Sequence, residues 1–311
     1  MKSRIAPLLL GLCALSLVQP LNAFMQSSTV ALSSDEVTVI KDIDYLGADR
    51  KEKMDAYLPA ASFERPLPAV LLIHGGGWRV GDKAAKRERS IANDLTAHGY
   101  AVFSINYELN VGERDPKTKK LTLSHLAWPQ NLYDCKSAVR FLRLKADEYG
   151  INPEQIAVTG GSAGGHLSMM VGATANDDEI NQHGLYLNQS NAISCILNFY
   201  GIYDVRKFHT NPFSGAPREV RTAHADAASP DTYFDKDLPP MFIAHGTADK
   251  TIPVKYSREL AQALAKLGTP YVYIEIEGAP HSFDLQPEQF DLRPTVLSFL
   301  QQYLGTPQKA Q

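Results

Sequence analysis

The apolar positions of this chain fall into short blocks separated by glycines and polar runs. Ala69 to His74 reads AVLLIH and Ala101 to Tyr107 reads AVFSINY. Predominantly apolar runs of this length, cut off sharply, mark strands buried on both faces. Gln155–Thr159, Ala192–Tyr200, Met241–His245 and Tyr271–Ile276 repeat the pattern, and Val37–Tyr45 and Lys53–Leu58 add two strands near the start. Between them the period changes. From Gln130 to Tyr149 the apolar residues Leu132, Cys135, Val139, Leu142, Ala146 and Tyr149 recur in steps of three and four, which predicts one amphipathic helix ended by Gly150 and Pro153. Further helices are expected over Ala84–His98, from Gly160 to about Ala175, over Val254–Leu267 and over Arg293–Tyr303. In the first of these, Lys86, Arg87, Glu88 and Arg89 read as a solvated face. Met169 and Met170 read as core filler. Strands alternating with helices predict an eight-stranded, mostly parallel α/β sheet with helices on both faces.

Two regions depart from the alternation. Residues 205–240 hold Pro212, Gly215, Pro217, Pro230, Pro239 and Pro240 with little periodicity, and read as a lid-like excursion over the sheet. At the other end, Lys2 and Arg4 precede a mostly apolar run from Ile5 to Val18, and Ala23 offers a small residue for cleavage. That is the pattern of a secretory leader over residues 1–23, too short for a bilayer core that needs about 20 apolar residues. The expected layout is a leader, a polar lead-in over 24–36, one domain over 37–304 and a tail over 305–311. This layout implies a periplasmic or secreted protein, with no stable membrane insertion once the leader is removed. A formal charge of −3 excludes the basic field that nucleic-acid binding requires. Three cysteines exclude a disulfide scaffold, and Cys135 and Cys195 fall on apolar faces as buried free thiols.

The chemistry gathers where strands end. Gly160-Gly161-Ser162-Ala163-Gly164 is a G-x-S-x-G between a strand and a helix. The glycines permit a sharp turn that lifts the serine hydroxyl above the sheet, and the following helix aims its partial positive charge at the reacting centre. His74-Gly75-Gly76-Gly77-Trp78 also comes directly after a buried strand. Its backbone N–H groups, from Gly76 and Gly77 with Ala163 as a third, are suited to a developing oxyanion. A nucleophilic serine needs a base, and the base needs an orienting acid. His281, just past the last strand, and Asp249, just past the one before, complete the order Ser–Asp–His. His166 is a weaker candidate for the base, Asp204 a rival for the acid, and His74 reads as structural. There is no H-E-x-x-H, C-x-x-C or calcium loop, so no metal or cofactor is expected.

HGGGW, GGSAGGHL, HGTAD and PHSF together resemble the α/β-hydrolase esterases, on the hormone-sensitive-lipase-like and feruloyl- or acetyl-esterase-like branch. The resemblance runs from about Val37 to Leu304. It implies the α/β-hydrolase fold and cofactor-independent hydrolysis of carboxylic esters, and carries the triad onto Ser162, Asp249 and His281. Two departures stand out. About 50 residues precede His74 after the leader and read as strands, so no large N-terminal cap is expected. Glu108 stands where the family more often has arginine. By analogy the substrate is a small-molecule or polysaccharide-linked ester, with short-chain, acetyl or feruloyl acyl groups. The alternatives are an amidase-type hydrolase on the same triad, such as an arylformamidase or exported peptidase, and a catalytically silent binding module.

Overall fold

The computed structural model describes residues 36–208 and 211–310. The leader and most of the lead-in expected from the sequence lie outside the described residues. In chain order the elements are β1 (Thr38–Ile43), β2 (Met54–Leu58), β3 (Leu67–Ile73), α1 (Lys86–Ala97), β4 (Ala101–Ile105), β5 (Val111–Arg114), β6 (Leu121–His125), α2 (Gln130–Leu144) and α3 (Ala146–Tyr149). Next come β7 (Ile151–Gly161), α4 (Ala163–Ala173), α5 (Asp178–Asn181), β8 (Cys195–Phe199), α6 (Arg218–His224), β9 (Met241–Gly246), α7 (Lys255–Leu267), β10 (Tyr271–Ile276) and α8 (Arg293–Leu304).

All eight predicted strands form one sheet, in the order β1-β2-β4-β3-β7-β8-β9-β10. The β1–β2 and β2–β4 pairs are antiparallel, and every other neighbour pair is parallel. Parallel central strands must be covered on both faces, and alternate residues of β3 show how. Ala69, Leu71 and Ile73 pack with Leu132, Val139 and Leu142 of α2 and Leu167 and Met170 of α4. Val70 and Leu72 pack on the opposite side with Ile91 and Leu95 of α1 and Val296, Phe299 and Leu300 of α8. Met169 joins a third cluster with Leu260 and Leu264 of α7. Both methionines are buried, as the sequence suggested, and so are the free thiols of Cys135 and Cys195.

Four details differ from the sequence reading. The helix expected over 130–149 is two, broken at Lys145 and ended by Gly150 in the left-handed conformation. The 205–240 excursion contains α6 and two short 3₁₀ turns, Val205–Lys207 and Pro230–Tyr233. A hairpin, β5–β6, was not foreseen; most of its positions are exposed, so no apolar alternation announces it. Finally, Arg87 and Glu88 are not on a solvated face. Glu88 is buried, the Arg87 side chain is 13% exposed, and the two are paired at 2.9 Å. Pairing and backbone hydrogen bonding offset the cost of desolvating both charges.

The tail is held in place. Ala310 N–H donates to Ser62 O (2.7 Å), Glu64 N–H donates to Gln308 O (2.9 Å), and Lys309 bridges Phe63.

Candidate active site

Because β3, β7, β8, β9 and β10 run parallel, the residues just past them emerge at one edge of the sheet, where ligands bind in such folds. Ser162 comes directly after β7 with φ 55° and ψ −119°, a conformation non-glycine residues seldom adopt. Close packing enforces this turn. A Cβ at Gly164 would collide with the carbonyl oxygen of Ile73, so only glycine lets α4 begin against β3. Ser162 N–H donates to Phe199 O (2.9 Å), tying the turn to the end of β8.

His281 Nδ1 donates to Asp249 Oδ2 at 2.6 Å. The other carboxylate oxygen of Asp249 accepts from Thr251 N–H (2.7 Å) and Ile252 N–H (2.8 Å). Burial alone would raise this carboxyl, but the hydrogen bonds from His245, His281 and Ile252 outweigh it and hold Asp249 well below the usual carboxylate range. Ser162 and His281 line one cavity of about 400 Å³, together with the His74–Trp78 loop, Phe208 and Ile252. The Ser162 hydroxyl makes no hydrogen bond among the described contacts, and such contacts commonly tighten only on substrate binding. No carbonyl accepts the N–H of Gly76 or Gly77 among the described residues, and Ala163, first in α4, has no intrahelical partner. The three amides proposed from the sequence are therefore free to donate.

The rival residues are engaged elsewhere. Asp204 accepts from Arg206 Nε at 2.7 Å and pairs with Lys207. His166 is fully buried, and burial pushes its imidazole down to about 4. His74 is structural, stacked on Tyr107 at 4.5 Å with its Nδ1 2.6 Å from Gly75 O.

Other groups at the site were not legible beforehand. His245, buried at the end of β9, donates from Nε2 to Asp249 Oδ2 (3.2 Å) and Ile252 O (2.8 Å), while its Nδ1 meets Ser257 Oγ at 2.7 Å. It meets the same carboxylate oxygen of Asp249 that His281 does. Tyr200, with its ring centroid 4.7 Å from that of His281, donates its hydroxyl to Phe283 O, and Arg87 Nε donates to the same carbonyl, each at 2.8 Å. Ser90 on α1 donates to Asp284 (2.8 Å), and Gln286 donates to Asp94. Helix α1 thus clasps the segment just beyond the imidazole.

Glu108 joins a charged network beside the site. Asp134 of α2 is fully buried and needs a cation. Arg50 supplies it from the β1–β2 connection, at 2.7 Å, and Glu108 lies 3.5 Å from the same guanidinium while accepting from His125 on the hairpin at 2.5 Å.

The sequence profile of the BD-FAE family matches residues 54–264, from β2 into α7. The chain belongs to the BD-FAE family. Among curated proteins, "Probable carboxylic ester hydrolase LipM" of Mycobacterium tuberculosis is 31% identical over 261 residues, covering 78% of this chain and 56% of LipM. Esterase LipC of the same organism is 28% identical over 251 residues, covering 77% of this chain and 59% of LipC. The chain thus spans a little over half the length of these relatives. Among solved structures, a truncated carbohydrate esterase from gut microbiota superposes with a TM-score of 0.73 at 24% identity, covering 88% of this chain and 98% of that one, which shows the α/β-hydrolase fold. Esterase 2 of the planctomycete Thermogutta terrifontis is 26% identical with a TM-score of 0.62, covering 87% and 91%. For this BD-FAE member, the fold and family expected from the four motifs are the ones found.

Proposed function

We propose that this BD-FAE protein is an exported serine carboxylic-ester hydrolase that works through an acyl-enzyme, on short-chain, acetyl or feruloyl esters of carbohydrates. The observation that carries the reading is the 2.6 Å bond to a fully buried Asp249 carboxylate from His281, which lines the same cavity as Ser162. The esterase names of its relatives and a carbohydrate-esterase neighbour support it. The leader-like pattern of residues 1–23 supports export.

In this mechanism Asp249 accepts a hydrogen bond from the Nδ1–H of His281, which keeps that proton on Nδ1 and leaves Nε2 bare to take the Ser162 proton as Oγ attacks the ester carbonyl. The carbonyl oxygen becomes an oxyanion held by the N–H groups of Gly76, Gly77 and Ala163. His281 returns the proton to the departing alcohol, leaving Ser162 acylated. Water, deprotonated by His281, attacks the acyl carbon; the proton passes back to Ser162 and the acid leaves.

The test is a chain-length series of p-nitrophenyl esters beside acetylated xylan, methyl ferulate, formyl-kynurenine and a prolyl peptide, with fluorophosphonate labelling of the chain. Ester turnover with label on Ser162 supports the reading. Turnover of the amides alone assigns an amidase instead, and absence of both labelling and turnover assigns a silent binding module.

A further inference from the structure

The loop that offers the Gly76 and Gly77 amides has an unusual backbone. Gly76, Gly77 and Trp78 have consecutive positive φ angles of 112°, 61° and 59°. A glycine tolerates this freely, whereas a tryptophan does not. A Cβ at Gly76 would strike the carbonyl of Val80, so the loop is tightly folded on itself. A bulky residue stays in the left-handed region only where its surroundings hold it there.

The Trp78 carbonyl accepts from Asn110 N–H (2.8 Å), and its indole is held in the core by His166. The indole is 2% exposed, and its Nε1–H donates to His166 Nδ1 at 3.3 Å, edge-on to the imidazole with ring centroids 5.3 Å apart. The second imidazole nitrogen, Nε2, lies 2.7 Å from the carbonyl oxygen of Ala228, in the lid-like excursion. These partners fix the tautomer. A carbonyl can only accept, so Nε2 carries the proton; an indole N–H can only donate, so Nδ1 is bare. The ring is therefore neutral, consistent with the depression of its protonation by burial. His166 stands one helical turn after the nucleophile, and its N–H donates to Ser162 O at 3.0 Å. The helix that carries Ser162 thus also carries the anchor of the facing loop.

We propose that His166 is a positioning residue of the oxyanion hole, holding Trp78, and through it the Gly76–Gly77 amides, in register with Ser162 while tying the lid to the same anchor at Ala228. The proposal rests on the oxyanion-hole reading above. It gives His166 no proton-transfer role.

The test uses W78F, which keeps an aromatic ring and removes the donor, H166F, which keeps a ring and removes both bonds, and H166N, whose side-chain oxygen can replace Nδ1. Each is assayed for kcat and KM on p-nitrophenyl acetate and for inhibition by a trifluoromethyl ketone, which forms an oxyanion on Ser162. Folding is checked by circular dichroism and thermal midpoint. W78F and H166F should each lower kcat about tenfold or more and weaken the ketone by a similar factor, with KM within about twofold, since an oxyanion hole acts on the transition state. The double variant should be little worse than the poorer single one, because both remove the same bond, and H166N should recover most of the lost rate. A purely structural histidine would shift the thermal midpoint without this split between kcat and KM. Folded W78F with kcat and ketone affinity within twofold of the parent overturns the proposal, whatever H166F does. The esterase reading fails separately, if the parent chain neither hydrolyses an ester nor takes the fluorophosphonate label.

Discussion

Replacing Asp249 by asparagine exchanges one oxygen for an NH₂ group, and the hydrogen bonds around the side chain dictate the outcome. The Oδ1 oxygen accepts two backbone N–H groups, from Thr251 and Ile252. An amide NH₂ cannot face two donors, so the asparagine must place its oxygen there and turn its nitrogen toward His281 and His245. His281 Nδ1 must then accept, which moves the imidazole proton to Nε2, where it blocks uptake of the Ser162 proton. His245 cannot adapt, because its Nε2–H also serves Ile252 O, so two donors confront each other in a buried place. The tautomer error alone is worth about 10⁴ in kcat in serine hydrolases of this type, or about 5 kcal/mol of activation free energy. The buried donor clash should remove a further ~1–3 kcal/mol from folding stability at neutral pH. The assays are kcat and KM on p-nitrophenyl acetate and urea unfolding across pH. Because the folded carboxyl is depressed, its contribution to stability is complete above the unfolded value near 3.9 and disappears as pH falls toward the lower folded value. The asparagine variant should therefore lose less stability on acidification than the parent. A D249N enzyme within tenfold of parental kcat would refute the assignment of Asp249 as the orienting acid.

Other substitutions probe separate links. Ser162→Ala should lower turnover by roughly 10⁴–10⁶ while leaving the circular dichroism spectrum and thermal midpoint near the parent's; comparable activity removes Ser162 as nucleophile. Gly164→Ala drives a methyl group against the Ile73 carbonyl and should destabilise by about 1–3 kcal/mol, read by urea denaturation; an unchanged midpoint shows that the α4–β3 contact yields easily. Arg50→Met strands the buried Asp134 carboxylate and should cost about 3–5 kcal/mol, with a loss under ~1 kcal/mol showing that Gln130 and the Glu108 N–H suffice. Cys135 and Cys195, both buried, should react with a thiol reagent such as DTNB only after denaturation, and prompt labelling of the native chain contradicts their place in the core.

The sheet was legible because its central strands are buried on both faces, so β3, β4, β8 and β9 appear as mainly apolar blocks. The site was legible wherever a backbone requirement leaves a local mark, as the glycines around Ser162 and before Trp78 do. What escaped depends on tertiary partners. Arg87 and Glu88 look like surface residues because most charged residues on a helix are. They are interior here because they neutralise each other and because Arg87 serves Phe283, nearly two hundred residues later. His245 closes an apolar block and shows its role only once Ser257 and Asp249 flank it. The β5–β6 hairpin carries VGER and LTLSH, with exposed side chains on most positions; nothing buried imposes a period on them.

The clasp between α1 and the segment past His281 has a consequence for how the molecule is made. A chain still on the ribosome can assemble the oxyanion loop and the serine turn from sequence already translated, and domains commonly begin folding during synthesis. The proposed base, His281, is not seated beside them until residues beyond Phe283 have emerged, because the contacts that fix its segment run from Arg87 and Ser90 to Phe283 and Asp284. Chains terminated before His281 should hold most of the sheet yet lack both the proposed base and the Phe283 carbonyl to which Tyr200 donates. Under the proposed mechanism, catalytic competence waits for the residues beyond Phe283, and a nascent chain that stops short of them is expected to be inert.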